Sequence, residues 1–291
     1  NSTAWVLVYY STKSALFIRR DSDVFRAVVA RIAEKREWRP DTAAALERYV
    51  RQGGLCHGLQ LARADLAGLN LVNREGPQGF LLEQCNLYRA NLRGAHLYGI
   101  RIKGGSLMKA DVSDANLHCA ELHDVNLLGI RWKNTRLDNL DTGRRLMQDR
   151  KGRSERDPVQ ARVWFKEAEE TYRDLRKASE AQGIFTMSGR YIQQELTMRR
   201  LQMPFWSYHR FASWIVDLFC GYGEAPMRVV LFSLLLIFIC SIFYFFCGLN
   251  FAGNHLIYRP DAPLEQNAIF LLECLYYSVV TFTTLGYGDF T

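Results

Sequence analysis

The residues whose types and spacing could do chemistry lie near the end of the chain, where positions 283–289 read Thr-Thr-Leu-Gly-Tyr-Gly-Asp. Backbone carbonyl oxygens can replace the water around an ion when the chain is extended and turns its oxygens the same way. Gly286 and Gly288 can take the positive φ angles that this conformation requires at little steric cost. The segment therefore has the composition of a loop that coordinates a dehydrated cation through its backbone.

This segment resembles the selectivity filter of potassium channels, in which four such loops, one from each subunit or repeat, surround the ions. The resemblance implies potassium as the bound ion, with no cofactor, no catalytic residue and no other metal. Family filters usually carry Val or Ile at the position of Leu285, whose side chain should point away from the ions, so ion selectivity should be retained. The ion-binding residues that the resemblance implies are Thr284, Leu285, Gly286, Tyr287 and Gly288. The supporting residues that it implies are Thr283, Asp289, Tyr276 and Tyr277.

An uncharged apolar stretch precedes the filter-like segment and is long enough to cross a membrane. Residues 229–248 read VVLFSLLLIFICSIFYFFCG, directly after Arg228. Twenty residues in a helix rise about 30 Å, which matches the hydrocarbon core of a bilayer. The alternative is a buried helix of a soluble protein, but such helices rarely run this long without a polar face. We therefore expect a lipid membrane as a partner.

A second apolar stretch, residues 268–283, leads directly into the filter-like segment. Its sixteen residues are short for a span and suit a half-length re-entrant helix, which is tolerated where protein buries it. The resemblance assigns this stretch as the pore helix, with Tyr276 and Tyr277 bracing the filter from behind. The family often has Glu where this chain has Val280, so a buried carboxylate pair with Asp289 is not expected.

A channel with two spans also needs an inner helix after the filter, and we expect that helix to follow Thr291. The first apolar stretch, residues 5–18, is too short to replace it and carries Lys13. Because the chain begins with Asn1, its native start is expected to lie further upstream.

Composition restricts the remaining function classes. The chain has 37 basic and 30 acidic residues in 291, a mild excess that arginines beside a span explain without nucleic acid. Its seven cysteines form no CxxC pair and are odd in number, which favours reduced thiols over a disulfide framework. His118, Cys119 and His123 lie close together, but no second metal-spaced pair completes a site. No signal peptide is recognisable, so residues 1–226 are expected in the cytoplasm and the protein in the cell's inner membrane.

A five-residue repeat occupies the middle of the chain. A period of five fits neither an α-helix nor a strand and points to a solenoid. Small residues such as Ala90 and Ala110 occur two positions before the central residue, with Asn or Asp between them. Leu61, Leu66 and Leu71 continue the pattern upstream of a phase slip within the insert 73–80. The central residues are Leu87, Leu92, Leu97, Ile102, Leu107, Val112, Leu117, Leu122, Leu127, Trp132, Leu137 and Thr142.

The repeat resembles the pentapeptide-repeat family over roughly 55–142, and the resemblance implies a right-handed square β-helix with four repeats per coil. Its central and small residues should fill the core of about four coils, stacked at roughly 4.8 Å. Arg89, Arg93, Tyr98 and Lys109 should face water. The segment carries ten basic and nine acidic residues, which disfavours a DNA-mimic role. A rigid scaffold is one interpretation, and a sensor that binds an unknown cytoplasmic partner is the other.

The sequence therefore predicts a multi-domain protein with a right-handed quadrilateral β-helix, an α-helical connector and an α-helical transmembrane pore region. Residues 21–52 should be helical, with the second helix starting at Asp41 or Thr42. Residues 143–157 should be a flexible link, and residues 205–219 a helix in the membrane interface. The domains expected are a helical cap (1–54), the β-helix (55–142), a charged linker and helical hairpin (143–203), an interfacial helix and turn (204–226), and the outer helix, pore helix and filter (227–291).

These features predict a subunit of a bacterial pentapeptide-repeat-containing potassium channel, which is not an enzyme because no nucleophile–base constellation is present. One filter loop supplies a quarter of a ring, so a homotetramer is expected. Two alternatives stay open: a membrane-tethered pentapeptide scaffold and a non-selective pore used in defence.

Overall fold

The computed structural model describes residues 5–11, 14–19, 42–54, 56–74, 76, 78–251, 254–260 and 263–283. The chain divides into two compact units, with the boundary between Phe211 and Ala212. The first predicted helix after residue 21 and the filter residues 284–289 lie outside the described residues.

Two strands form the start of the first unit, where the sequence predicts only a helical cap over 1–54. Strand β1 (Trp5–Ser11) pairs antiparallel with β2 (Ser14–Arg19). Their sequences, WVLVYYS and SALFIR, are rich in the β-branched and aromatic residues that favour strands, which explains this correction. The second predicted helix is present as α1 (Thr42–Arg51), and its buried face belongs to the core of the unit.

A β-helix follows α1. Strands β3 (Leu81–Glu83), β4 (Arg101–Lys103) and β5 (Glu121–His123) pair in parallel with an offset of 20 residues. Further parallel bridges with the same offset lie five residues apart, so each coil has four sides. In the first coil the offset is 26, for example between Gln60 and Asn86. The six extra residues fall where the sequence places the insert.

Two rows of side chains fill the β-helix, as the period predicts. All the central residues from Leu87 to Thr142 are at most 8% exposed. The small residues two positions earlier, such as Ala95 and Ala110, are completely buried beside them. Arg89 and Lys109 are exposed, as expected for outward positions. The β-helix is therefore established by its own bridges and burial, while its right-handedness stays a prediction.

The polar position of each repeat explains how the chain turns the corners of a coil. The Asn91 side chain accepts a hydrogen bond from the backbone N–H of Arg93, and Asn116 accepts one from that of His118. Such side-chain bonds to the residue two positions on stabilise turns. The residue that follows this N–H donor takes positive φ: Gly94 after Arg93, and Cys119 after His118. Asn and Asp thus recur in the repeat because they build its corners.

Helices α2 (Met147–Ser154), α3 (Pro158–Ala181) and α4 (Phe185–Gln202) complete the first unit. The hairpin α3–α4 agrees with the expected hairpin, and Gly183 takes positive φ where α3 ends. The predicted flexible link is wrong, because residues 147–154 form a packed helix. Its side chains Gln148 and Asp149 are completely buried.

The second unit contains most of α5 (Tyr208–Cys220), a short turn (Gly221–Gly223) and two long helices, α6 (Pro226–Cys247) and α7 (Leu264–Phe282). Between α6 and α7 lies a hairpin of β6 (Leu249–Phe251) and β7 (Asn254–Leu256). Among the described helices, α6 alone is long and apolar enough to cross a membrane by length and composition. Helix α7 has 19 residues, so it is longer than the half-length helix predicted. The polar residues 264–267 extend it, with Glu265 in the first turn, where a carboxylate suits the helix dipole.

Candidate functional site

Helices α6 and α7 pack side by side and place the start of the filter-like segment. The contact is lined by small residues that are almost fully buried, namely Ser241, Cys274 and Ser278. The Ser278 hydroxyl donates a hydrogen bond of 2.8 Å to the backbone carbonyl of Ile237 on α6. Small residues let helix backbones approach closely, and a hydroxyl bond between helices needs no water. The helix pair can therefore form without aqueous surroundings.

Aromatic rings join the ends of the two helices that lie near the β6–β7 hairpin. The rings of Phe245 and Phe270 lie 5.5 Å apart between centroids, and those of Phe245 and Tyr258 lie 5.0 Å apart. Leu249 is buried against the same cluster. Aromatic pairs at these distances add to the energy of apolar burial. The cluster therefore fixes α7 at its N-terminal half, away from the filter-like end.

The two predicted supporting tyrosines point to different surroundings, because adjacent residues on a helix are about 100° apart. The Tyr277 ring packs edge-on against Tyr244 of α6, with 5.0 Å between centroids and 72° between planes. Tyr276 is 47% exposed on the described residues. The structure thus packs Tyr277 against α6. Contact of Tyr276 or Tyr277 with the filter residues stays a prediction.

Thr283 is the last described residue and ends α7. Its backbone N–H donates to the carbonyl of Val279, and its hydroxyl donates to the same oxygen at 2.8 Å. The carbonyls of a helix C-terminus carry a partial negative charge, which favours a cation nearby. The filter-like segment therefore begins at a helix C-terminus, whose partial negative charge favours a cation. The remaining predicted filter residues lie beyond the described part of the chain: Thr284, Leu285, Gly286, Tyr287, Gly288 and Asp289.

The outer surface of α6 is apolar and open. Leu234, Phe238 and Phe243 are each more than half exposed, and Ser241 alone on this helix is buried. Soluble monomers rarely expose a continuous apolar surface of this length. This surface suits contact with lipid or with other protein chains.

At each end of the β-helix, side chains from flanking segments make hydrogen bonds to backbone groups that would otherwise bond to a further coil. At the last coil, the Gln182 side chain donates to the carbonyl of Thr135 at 2.5 Å and accepts from the N–H of Leu137 at 2.9 Å. At the first coil, Glu47 accepts from the N–H of Asn70 at 2.6 Å, and Arg51 donates to the carbonyl of Asn70 at 3.2 Å. Unpaired strand edges invite association with other chains. These bonds satisfy the backbone groups of Asn70 at one edge and of Thr135 and Leu137 at the other.

The sequence gives no direct signal for these closing residues, because each lies 19 to 47 positions from its partner. The same holds for the core of the helical hairpin. There the Glu195 carboxylate accepts from Arg173 at 3.0 Å and from Arg176 at 2.8 Å. Hydrogen bonds to Glu195 raise the pKa of both guanidinium groups above the ordinary arginine value. The two arginines stay charged and tie α3 to α4.

Chemistry elsewhere on the described residues is sparse. His118 and His123 face Asp138 and Asp141 across adjacent coils, at 3.7 Å and 3.0 Å. No group of three or more metal-ligating side chains occurs among the described residues. The cysteines of the described residues are all free thiols. Cys119 belongs to no group of metal-ligating side chains in that part of the chain.

Part of this chain is similar to solved structures. Three similar solved structures are pentapeptide repeat proteins: one from the cyanobacterium Cyanothece 51142 (28% identity, TM-score 0.28); HetL from Nostoc sp. strain PCC 7120 (28%, 0.27); and another from Nostoc PCC 7120 (31%, 0.23). They cover 31%, 30% and 32% of this chain, which spans 57%, 37% and 73% of theirs. The chain thus spans less than two thirds of the first two.

No protein-family model and no curated protein matches the chain. The solved structures named above are pentapeptide repeat proteins, and none of them is described as a channel. Because their TM-scores are low, the description of the β-helix rests on the bridges and burial of this chain itself.

Proposed function

We propose that this chain is a subunit of a potassium-selective ion channel whose β-helix is a cytoplasmic scaffold or sensor. The observation that carries the proposal is the position of residues 283–289. The filter-like sequence begins at the C-terminal end of α7, a helix packed against the apolar, exposed helix α6. A backbone ion-binding loop needs such support, because its carbonyl oxygens must be held in position to replace the hydration shell of the ion.

In this function, potassium gives up its hydration shell to carbonyl oxygens of Thr284, Leu285, Gly286 and Tyr287, with the Thr284 hydroxyl at one end. Four chains would supply four oxygens in each layer. The ring is uncharged, so it binds ions firmly enough to admit them and weakly enough to release them to the next site. Gly288 and Asp289 would open towards the outside, and residues 1–226 would lie in the cytoplasm of a cell with the channel in its inner membrane.

A second candidate is a membrane-tethered scaffold whose filter-like loop does not conduct. It is favoured by the single candidate span on the described residues and by the similarity of the β-helix to pentapeptide repeat proteins. A non-selective pore used in defence is a related candidate. Either would share the anchor α6 and the β-helix, and either would lack potassium selectivity.

Ion flux through the full-length protein in liposomes separates these candidates. We expect the wild-type protein to carry potassium well over sodium, and Gly286→Ala to abolish selective flux, because a methyl group disfavours positive φ. Leu235→Ala is the matched control: this residue is half exposed on α6, so its truncation should leave selectivity unchanged. Equal sodium and potassium flux in the wild type, or selectivity retained in Gly286→Ala, would reject the channel mechanism in favour of the second candidate.

A further inference from the structure

Helix α5 exposes an apolar stripe. Phe211, Trp214 and Leu218 are spaced at helical intervals of three and four residues, and they are 57%, 49% and 51% exposed. The helix buries none of its residues. Residues three and four apart lie on one face of a helix, so these side chains form one surface.

The contacts of α5 with the following turn and with α6 come from residues outside this stripe. The Ser213 and Tyr222 hydroxyls are hydrogen-bonded at 2.7 Å, which joins the middle of α5 to the turn that follows it. Arg228, near the start of α6, donates to the backbone carbonyl of Asp217 at 3.3 Å. In a helix of a soluble protein, the apolar face is normally the packed one. In α5 the apolar stripe is instead exposed.

The turn between α5 and α6 fixes this arrangement. Gly221, Tyr222 and Gly223 have φ angles of 55°, 60° and 93°, three left-handed residues in succession. A left-handed conformation is unfavourable for a residue with a side chain, and the hydroxyl bond to Ser213 offsets part of that cost at Tyr222. The rings of Phe219 and Phe232 pack at 3.9 Å between centroids and hold α5 against α6.

We infer that α5 lies in the headgroup layer of a lipid bilayer with its exposed stripe turned into the lipid. The inference rests on the proposed function in one respect, that α6 crosses that bilayer. The stripe ends at Leu218, shortly before the exposed apolar surface of α6 begins after Pro226, so one lipid environment covers both. Trp rings favour the membrane interface, and an interfacial helix buries its apolar face about 5–10 Å deep. Tyr222 is then a positioning residue, which keeps α5 at the start of the span.

Tryptophan fluorescence of the full-length protein in liposomes tests the depth of Trp214. The difference in emission between the wild type and Trp214→Phe isolates this one ring among six tryptophans. Quenching is measured with lipids brominated near the headgroup, with lipids brominated near the bilayer centre, and with aqueous acrylamide. Trp164→Phe is the control, because Trp164 lies on α3 of the first unit, under the Lys151 ammonium.

We expect the Trp214 emission to be quenched about twofold more by shallow bromines than by deep ones, and the Trp164 emission by neither. Stronger quenching by deep bromines would overturn the inference, because α5 would then be part of the span. Quenching by acrylamide without bromolipid quenching, or by none of the three, would also overturn it, since water or protein would cover the stripe. If shallow quenching occurs without potassium selectivity, the inference stands and the proposed channel function fails.

Discussion

Gly105 shows how single residues limit the stacking of coils. A Cβ atom at this position would lie 2.1 Å from the carbonyl oxygen of Cys85 on the coil below, and φ is +81°. At Gly94, where φ is +65°, a Cβ atom would meet nothing within 4 Å. Both substitutions by Ala therefore strain the backbone, but only Gly105→Ala forces two coils apart.

We predict that Gly94→Ala lowers the free energy of unfolding by about 1 kcal/mol, and Gly105→Ala by about 3 kcal/mol or more. Urea unfolding followed by circular dichroism gives both values. Similar losses for the two variants would show that the close approach at Cys85 is relieved at little cost.

The thiols of Cys56 and Cys85 make the β-helix sensitive to alkali. Burial raises the pKa of Cys56 to about 12 and that of Cys85 to about 11, from 9.0. In the unfolded chain both thiols ionise near pH 9, so the unfolded state loses protons first. Their contribution to stability is complete below that pH and is lost as pH rises towards 11 and 12.

By pH 10 each thiol should cost about 1.4 kcal/mol of unfolding free energy relative to neutral pH, one pKa unit's worth. The double variant Cys56→Ala with Cys85→Ala should therefore lose less stability than the wild type between pH 8 and 10. Parallel pH profiles of the two proteins would contradict this assignment. Cys119, which is partly exposed, is retained in both proteins and serves as the internal reference.

At the scale of the residue, the sequence predicts which positions face the core, because the five-residue period is regular from Leu87 to Thr142. It also contains a turn signal. Asn, Asp and Gly recur at the corners, where side-chain acceptors and positive φ are needed. The hydrogen bonds of Gln148 with Asn126 and of Asp149 with Tyr172 could not be predicted, because those partners lie more than twenty positions away.

At the scale of the element, the Gln182 side chain joins the helical hairpin to the last coil of the β-helix. In inner coils, the N–H of Leu117 is bonded to the carbonyl of Arg136 on the next coil. Leu137 has no further coil above it, and its N–H donates to the side-chain carbonyl of Gln182 instead. The NH₂ group of the same side chain donates to the backbone carbonyl of Thr135. Loss of this amide leaves two backbone groups of the last coil without their partner.

We predict that Gln182→Leu, which preserves side-chain bulk, costs about 2 kcal/mol, since each net hydrogen bond contributes roughly 1 kcal/mol. The Leu137 amide should exchange with deuterium much faster than in the wild type, while the Leu117 amide, one coil before Leu137, should keep its protection. Gln202→Leu, on the same hairpin but bonded to Glu169 on α3, is the control. Equal protection of Leu137 in wild type and Gln182→Leu would show that another group closes the coil.

Elements were predictable where a period or a composition defines them. The hairpin α3–α4, the span-like helix α6 and the β-helix follow from apolar spacing within each segment. The strands β1 and β2 and the helix α2 did not, because in short segments propensity and charge are weak guides and distant contacts decide. The length of α7 was underestimated because its first turn is polar.

At the scale of the whole molecule, the sequence predicts an order of parts that the described residues partly display: β-helix, helical hairpin, apolar helix. The filter residues after Thr283 lie outside the described residues, so their ion chemistry stays a prediction from residue types. The structure adds that Glu47 and Arg51 bond to Asn70 in the first coil, and that Gln182 bonds to Thr135 and Leu137 in the last coil.

The last prediction concerns the number of chains. One filter loop provides a single carbonyl oxygen to each layer, and a dehydrated potassium ion needs a closed ring, so four chains must meet around one axis. The exposed faces of α6 and α7, including Leu272 and Phe282, offer apolar surface for that contact. We expect native mass spectrometry of the full-length protein in detergent to give four chains per particle across a tenfold dilution. Monomers or dimers alone would rule out a ring of four loops, and with it the potassium channel, while leaving a tethered scaffold in place.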